Sequence, residues 1–427
     1  MKANVFYLVA LVAALVITFP SNLLAEDSPQ KPNKVEAKDD HVDVDVEDAE
    51  IPYILKEIEK GSGIKITIGE ALTGKKVIAK FADKDVEGAL REILRGQYYV
   101  LSYKHDLANK EKKTLTEVKA EGDVIGSKQL KGKLITVEIP YGKGPGEVRA
   151  VKESEGGSIG PRSFAVDAEG KIYICDTWNG RVQVLSPTGI FLFTIPLKDD
   201  IFAEDIVVDD RGYIYIYDGS VRKLYQIDEL GKVLSSIDVE SPRSVTLPLH
   251  YARSAIYFVD CYADHCGYFV IGRILLNGLL VGPSEEERMN LKGQDQSTLR
   301  LSGRKYEARK FIRGYNTQID VIEKDGLTSR MLSLPAAEGI LHGRLNIEDS
   351  KGNLYFARTY LKDNYQLWYI DEFDSKANYL GTAQIPSGNG YEFWAVKEFA
   401  LGKNGNIYKF IPGEKNLTLH IFLNEEN

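Results

Sequence analysis

The feature that most limits what this chain can fold into is a recurring pattern of short strands. The stretch from Gly160 to Ile195 reads GPRSFAVDAEGKIYICDTWNGRVQVLSPTGIFLFTI, a series of brief alternating runs divided by glycine turns. Another copy, DIVVDDRGYIYIYDGSVRKLYQIDELGKVL, lies 42 residues downstream without a gap. Asp167 maps to Asp209, Gly170 to Gly212, Tyr173 to Tyr215, Asp176 to Asp218 and Gly189 to Gly231. SAIYFVD follows at the same interval with Tyr257 and Asp260, and the turn-x-x-Tyr element returns at Tyr306, Tyr355 and Tyr408. The six tyrosines are spaced 42, 42, 49, 49 and 53 residues apart.

A period of that length, with several short strands in each unit, marks the blade of a β-propeller. A four-stranded sheet has two faces to cover, and radial packing covers both while leaving only short edges open. The repeated tyrosine is expected to pack between blades with its hydroxyl near the rim. The sixth unit starts near Trp394 and runs out of chain after about three strands, counting strand and turn signals. GKLITVEIP at 132–140 resembles the last strands of other units, so it is expected to complete the sixth blade and close the ring. The fold class is therefore mainly β, a six-bladed propeller over residues 132–427 behind a small α+β domain.

The first two units resemble the NHL repeat family through GPRSFAVDAEGKIYICDTWNGRVQVLSPTGIFL. Asp176, Asn179 and Arg181 match its Asp-x-x-Asn-x-Arg pattern. The resemblance implies that these side chains hydrogen-bond across the loop of a blade, a structural role. The second unit keeps Asp218 but has Lys223 at the arginine position, and later units diverge further.

Upstream, VDVDV has the period of a half-buried strand. Ile51, Ile54, Leu55 and Ile58 lie on one helix face, Pro52 fits that helix's first turn, and the GSG at 61–63 ends it. IKITI and KKVIAKF are strands. Asp85 caps a second helix with Val86, Ala89, Leu90, Ile93 and Leu94 on its apolar face, and YYVLSY closes the unit. The order β-α-β-β-α-β over residues 41–104 resembles the secretin and TonB short N-terminal domain, carried by VDVEDAEIPYILKEIEKGSGIKITI and LTGKKVIAKFADKDVEGALREILRG. That family sits in the periplasm of Gram-negative bacteria and makes protein contacts. Residues 26–40, charged and Pro-containing, read as a disordered linker, and the Lys-rich, weakly patterned 105–131 as a linker with room for one strand.

Residues 1–25 form a signal peptide: Lys2, an apolar run, then PSNLLA ending in small Ala25. The alternative is an uncleaved anchor. After cleavage no segment is apolar enough to span a bilayer. The chain is thus expected to be exported, periplasmic or outer-membrane-associated. Export places Cys261 and Cys266 of DCYADHC in an oxidising compartment, where they either close a small disulfide loop or stay as two buried thiols. Cys175 lies in a strand pattern as a small apolar residue.

Net charge is −8 over 427 residues, which excludes a global basic field for nucleic acid. No G-x-S-x-G is present and the six histidines are scattered. Arg162, Glu204, Arg243 and Lys397 precede the innermost strand of four units, so they are expected to ring one mouth of the axial channel. Three cations and one acid disfavour a divalent metal and favour an anionic group on a partner. The competing reading pairs them with Glu204, Asp205 and Glu398 to hold blades together. No cofactor is expected. The function indicated is a non-enzymatic envelope binding protein with a protein or glycan partner. The alternative is a metal-dependent propeller hydrolase or lyase, since NHL-type relatives that cleave lactones hold a metal with acidic residues from separate blades. Intact mass of the exported protein should begin at Glu26 and be lighter by the two hydrogens that a Cys261–Cys266 bond removes. A mass retaining residues 1–25 would mark the anchor, and a fully reduced mass would mark free thiols.

Overall fold

The computed structural model describes residues 33–106, 108, 112–152, 158–198, 200–239, 249–252, 255–262, 265–284, 298–299, 305–309, 317–323, 325, 327–334, 340–349, 351–362, 365–386, 396–402 and 404–425. For some strand residues, among them 257–262, 265–270, 305–309 and 340–347, only the backbone course is described. The expected signal peptide lies outside the described residues.

The chain begins with strands β1 (Lys34–Lys38) and β2 (His41–Glu50), helix α1 (Ile51–Ser62), β3 (Lys65–Ile68), β4 (Lys76–Asp85), helix α2 (Val86–Ile93), β5 (Tyr98–His105) and β6 (Lys113–Gly122). Alternation in β2 buries Val42, Val44 and Val46 against Ile54, Leu55 and Ile58 of α1 and Ala89, Leu90 and Ile93 of α2. The helix ends follow local chemistry. Gly63 takes a left-handed φ of 71° after α1, and the Asp85 carboxylate accepts the Gly88 N–H at 2.8 Å at the start of α2.

Next come β7 (Gly132–Pro140) and a ribbon of β8 (Val151–Lys152) and β9 (Ser158–Ile159). The first sheet holds β10 (Phe164–Val166), β11 (Ile172–Asp176), β12 (Arg181–Leu185) and β13 (Phe191–Pro196). The second holds β14 (Asp205–Val208), β15 (Ile214–Asp218), β16 (Lys223–Ile227) and β17 (Val233–Asp238). The third holds β18 (Leu249–Ala252), β19 (Ala255–Tyr262), β20 (His265–Ile274) and β21 (Leu280–Val281). In the fourth are β22 (Thr298–Leu299), β23 (Lys305–Arg309), β24 (Thr317–Ile322) and β25 (Thr328–Leu334). In the fifth are β26 (Ile340–Glu348), β27 (Leu354–Lys362), β28 (Tyr365–Phe373) and β29 (Tyr379–Pro386). The sixth combines β30 (Phe399–Leu401), β31 (Ile407–Pro412) and β32 (Asn416–Asn424) with β7.

The strands of each of these sheets pair antiparallel in chain order, and the molecule is mainly β and propeller-like. First strands neighbour one another, β10 lying against both β14 and β30. Phe164 stacks on Phe410 at 5.0 Å between the first and sixth sheets. β7 pairs along its whole length with β32, from Gly132 opposite Asn424 to Pro140 opposite Asn416. This is the pairing that the GKLITVEIP pattern predicts.

The repeated turn and tyrosine have a common construction. Asp167 Oδ1 accepts the N–H groups of Glu169 and Lys171, each at 2.9 Å, and Tyr173 Oη donates to Asp167 Oδ2 at 3.1 Å. Asp209 and Tyr215 repeat this at 3.1 Å, and Asp349 and Tyr355 at 3.4 Å. Gly170, Gly212 and Gly352 supply the positive φ of the turn, near 84° in each. Tyr173, Tyr215, Tyr355 and Tyr408 are fully buried: the aspartate of the same turn accepts from the hydroxyl in the first two, and Glu372 Oε1 accepts from that of Tyr355 at 2.8 Å. The side chains of Tyr257, Asp260, Cys261, Cys266 and Tyr306 lie outside the described ones, although the backbone register sets Cys261 directly opposite Cys266.

One expected linker is corrected, and the second contains the one strand allowed for it. Lys34–Lys38, in the linker expected at 26–40, is β1 and pairs with β2. Lys113–Gly122, in the linker expected at 105–131, is β6 and pairs antiparallel with β5 and parallel with β3. The unit at 41–104 is not self-contained either. β5 also pairs antiparallel with β25, so one sheet runs β22-β23-β24-β25-β5-β6-β3. The physical reason is that β5, YYVLSYKH, is apolar on both faces. Tyr99, Leu101 and Tyr103 pack into the N-terminal core with Met331, while Tyr98 and Val100 pack with Leu332, Leu354 and Phe373. Tyr98 Oη donates to the Ala377 carbonyl of the fifth sheet at 2.6 Å. Among the described residues no helix is long and apolar enough to cross a membrane.

A fragment of residues 33–104 should therefore fail to unfold cooperatively, since β6 and Met331 complete its core. A chain beginning at residue 150 should aggregate or lose cooperativity, since removing β7 opens β32. Denaturant titrations against the full chain check both. A cooperative 33–104 fragment, or an unchanged midpoint for the shorter chain, would contradict this account.

Candidate functional site

The innermost strands start with equivalent short runs: Arg162-Ser163 ahead of Phe164, Glu204-Asp205 ahead of Ile206, Lys397-Glu398 ahead of Phe399. Antiparallel register fixes that equivalence, with Phe164 opposite Ile174, Ile206 opposite Ile216 and Phe399 opposite Lys409. Charged and hydroxyl groups from separate sheets are thereby delivered to one region beside the axis.

The Asp205 carboxylate is the meeting point. It is fully buried. Ser163 Oγ of the first sheet donates to its Oδ1. Lys397 Nζ of the sixth-sheet segment lies 3.0 Å from the same oxygen and donates to the Ile206 carbonyl at 2.7 Å. The Leu249 N–H of the third sheet donates to Oδ2, and Asp205's neighbour Ile206 donates its N–H to Oδ1 at 2.7 Å. One carboxylate thus joins four sheets. Its negative charge is matched by a buried ammonium and its lone pairs are filled, which is what makes a buried ion pair tolerable.

Of the four residues expected to ring a mouth, Lys397 is buried and committed to Asp205. That corrects the expectation of a free cation there: the lysine stem is too deeply packed for its ammonium to meet an outside anion. Glu204 is also buried, and a Cβ on Gly219 would come within 2.4 Å of its Oε2, so the carboxylate rests directly on that glycine. Arg162 is half-buried. Its carbonyl accepts the Val396 N–H at 2.7 Å, and its guanidinium has no hydrogen-bond or ion-pair partner among the described residues. Arg243 lies outside the described residues. The strand after it starts at Leu249, six residues on, against two for Arg162 and Lys397 and one for Glu204, so its position in the repeat is not equivalent.

Lys409 was not anticipated. It is fully buried in β31, with Nζ 3.2 Å from Glu398 Oε2 and lying over the rings of Trp368 at 4.5 Å and Phe399 at 4.7 Å. Arg358 and Asp371 form another buried pair inside the fifth sheet, with Thr382 Oγ1 donating to the same aspartate. The signal for Asp205 and Lys409 was present in the sequence as a charge at an apolar strand position. The partners of Asp205, however, come from other repeats, as does the Trp368 ring beside Lys409, whereas Glu398 and Phe399 belong to the sheet of Lys409 itself. Cys175 is buried beside this network. Burial, and then the nearby Asp205, push its thiol far up, so it stays neutral rather than nucleophilic.

The Asp176, Asn179 and Arg181 set performs a clamp. Asn179 Nδ2 and Arg181 Nε donate to Asp176 Oδ2 at 2.8 and 2.7 Å. Their remaining donors hold the Gly-rich connection that leads out of β7. Asn179 reaches the Gly142 carbonyl at 2.9 Å, and Arg181 reaches those of Lys143, Gly144 and Glu147 at 3.0, 2.8 and 2.9 Å. Asp176 Oδ1 accepts the Arg149 N–H at 2.8 Å. Asp218 has the corresponding task in the second sheet, accepting the Phe202 N–H at 2.8 Å.

The NHL repeat pattern matches residues 159–185, which span this clamp. No curated protein matches the chain. Among solved structures it is similar to a member of the DUF4221 family from Bacteroides vulgatus, at 11% identity and a TM-score of 0.41, covering 69% of this chain and 99% of that one. It is also similar to virginiamycin B lyase from Staphylococcus aureus, at 12% identity and a TM-score of 0.35, covering 69% and 99%. A third is XC5397 from Xanthomonas campestris, described as a gluconolactonase, at 14% identity and a TM-score of 0.35, covering 67% and 97%. None of these likenesses assigns a role to a residue here.

Replacing Asp205 by Asn should destabilise the protein by about 3–5 kcal/mol, because Lys397 is then left as an uncompensated buried charge. Adding Lys397→Met should recover much of that loss. Urea unfolding of the three proteins measures it. A change below about 1 kcal/mol for the single variant, the size expected of a solvated pair, would show that the network is not a linchpin.

Proposed function

We propose that this protein is an exported, non-enzymatic binding or scaffold protein of a Gram-negative envelope. Its sheets are read as the six blades of an NHL-like propeller, and its N-terminal unit as a short N-terminal domain of the secretin and TonB type. The observation that carries the reading is the commitment of the axial charges to one another. Asp205 is saturated by Ser163, Leu249, Ile206 and Lys397, and Lys409 is held by Glu398 and two rings. Acid and cation there are spent on one another inside the packed body, which supports a structural role for them. The partner is a protein or glycan with an anionic group, met at the mouth where the Arg162 guanidinium stands. The N-terminal unit docks to an envelope component. A bonded Cys261–Cys266 pair would stiffen the hairpin that β19 and β20 form.

The alternative, a metal-dependent hydrolase or lyase, would need acidic groups from several blades turned toward a cation at the axis. Among the described residues no group of three or more His, Cys, Asp or Glu is gathered to hold one.

Immobilised mature protein should retain one partner protein or glycan from envelope extract. Arg162→Glu should lose it with an unchanged urea midpoint. Retention by the variant would remove the mouth from the reading. Stoichiometric Ca²⁺ or Zn²⁺ in the purified protein, together with ester or lactone cleavage, would replace the whole reading with the alternative.

A further inference from the structure

The chain covers part of its own outer wall. β5 hydrogen-bonds to the open edge of β25, the last strand of the fourth sheet. Residues 124–130 then run along β29, the last strand of the fifth. Leu130 donates its N–H to the Thr382 carbonyl at 3.0 Å, and Thr382 returns its N–H to Lys128 at 2.8 Å. The Leu130 side chain is buried on Gly381, where a Cβ would come within 2.8 Å of it. β7 is itself the last strand of the sixth sheet, and residues 142–147 are clamped by Asn179 and Arg181 of the first. One continuous length of chain therefore tracks the perimeter from the fourth sheet to the first, pairing main chain to main chain along the fourth, fifth and sixth sheets and held by side chains at the first.

Beyond that point nothing among the described residues covers the wall. β13 and β17 stand at the outer edges of their sheets, and among the described residues no strand pairs with those edges. Among the described residues, seven of the eleven exposed large apolar side chains belong to the last strands and adjoining turns of the first three sheets, where the track ends. Leu276 is 98% exposed, Leu230 81% and Ile190 66%. Leu192 and Leu234, 44% and 43% exposed, occupy the same place in their strands. Each is the extra residue where the register shifts, between Phe191 and Phe193 and between Val233 and Ser235. A bulge turns such a residue outward. The outer strands also abut. Gly231 lies on the Pro196 carbonyl, so closely that a Cβ would be 1.9 Å away, and the start of β17 thus meets the end of β13. An open, apolar strand edge is a template for pairing unless it is covered.

We propose that the outer edge of β17, flanked by Leu192 and Leu234, is a docking surface for an extended segment of a partner polypeptide with aliphatic side chains at alternate positions. The segment pairs antiparallel with Val233–Asp238 as β5 pairs with β25, and sets its aliphatic side chains beside the two leucines as Leu130 sets on Gly381. β17 is the favoured acceptor over β13 because β13 ends in Pro196, which has no N–H to donate. The occupant is a strand rather than a helix, because along the fourth, fifth and sixth sheets the covering chain is held by main-chain hydrogen bonds, with an aliphatic anchor at Leu130.

The test uses the full mature chain and a labelled peptide, Thr-Val-Lys-Val-Thr-Val-Lys-Val, blocked at both ends. Saturable binding is expected, with slowed amide exchange in residues 233–238. Alternate N-methylation of the peptide should abolish binding, since it removes the donors. Leu192→Arg with Leu234→Arg should weaken it at least about tenfold, equivalent to about 1.4 kcal/mol, with an unchanged urea midpoint. Leu234→Gln alone should weaken it less. The proposal is overturned by absent binding, by equal binding of the methylated peptide, or by protection confined to other strands. It is also overturned if the free chain self-associates and the double variant does not, since the occupant would then be a second copy.

Discussion

The ring depends on the carboxylate of Asp205. A propeller's sheets touch through apolar faces, and such contacts are non-directional: they favour adjacency without fixing how far each sheet is rotated. Asp205 adds direction. It takes a hydroxyl from the first sheet, an ammonium from the sixth and a backbone N–H from the third while sitting in the second. Because the site is dry, each of those bonds is costly to leave unmade, so the inner strands are held to one arrangement. The same logic explains Lys409, whose ammonium finds Glu398 and two aromatic faces rather than water.

Closure of the ring is a second constraint, and the N-terminal chain supplies it. β7 gives the sixth sheet its outer strand, and the Asp176, Asn179 and Arg181 clamp ties the exit of β7 to the first sheet. The motif that looks like a repeat signature is thus a fastening placed where the two ends of the ring meet. Upstream, β5 welds the N-terminal unit to the fourth sheet. That unit is therefore held in a fixed orientation to the propeller-like body, not on a tether.

Much of the fold was legible because local chemistry repeats. Asp-x-x-Gly-x-x-Tyr specifies a turn, a left-handed glycine and a buried tyrosine within seven residues, all short-range interactions that a sequence displays directly. The helix faces of α1 and α2, the Asp85 cap and the strand role of GKLITVEIP were readable for the same reason. The candidate site was legible only in part. Arg162, Glu204 and Lys397 stand out as charges ahead of apolar strands, but whether a charge is offered to solvent or buried against another is set by residues far away in sequence.

The sequence alone determined the repeat, the strand-rich class and the residues able to form turns and caps, since these rest on contacts within a few positions. Tertiary structure decided the rest. It turned Lys397 from a mouth cation into a buried partner of Asp205, and set Lys113–Gly122 between β5 and β3. It also joined β5 to β25 across more than two hundred residues of chain. Each of those outcomes depends on which open edge or unpaired charge lies nearest once the sheets have packed, and that proximity is a property of the folded ring rather than of any local run of residues.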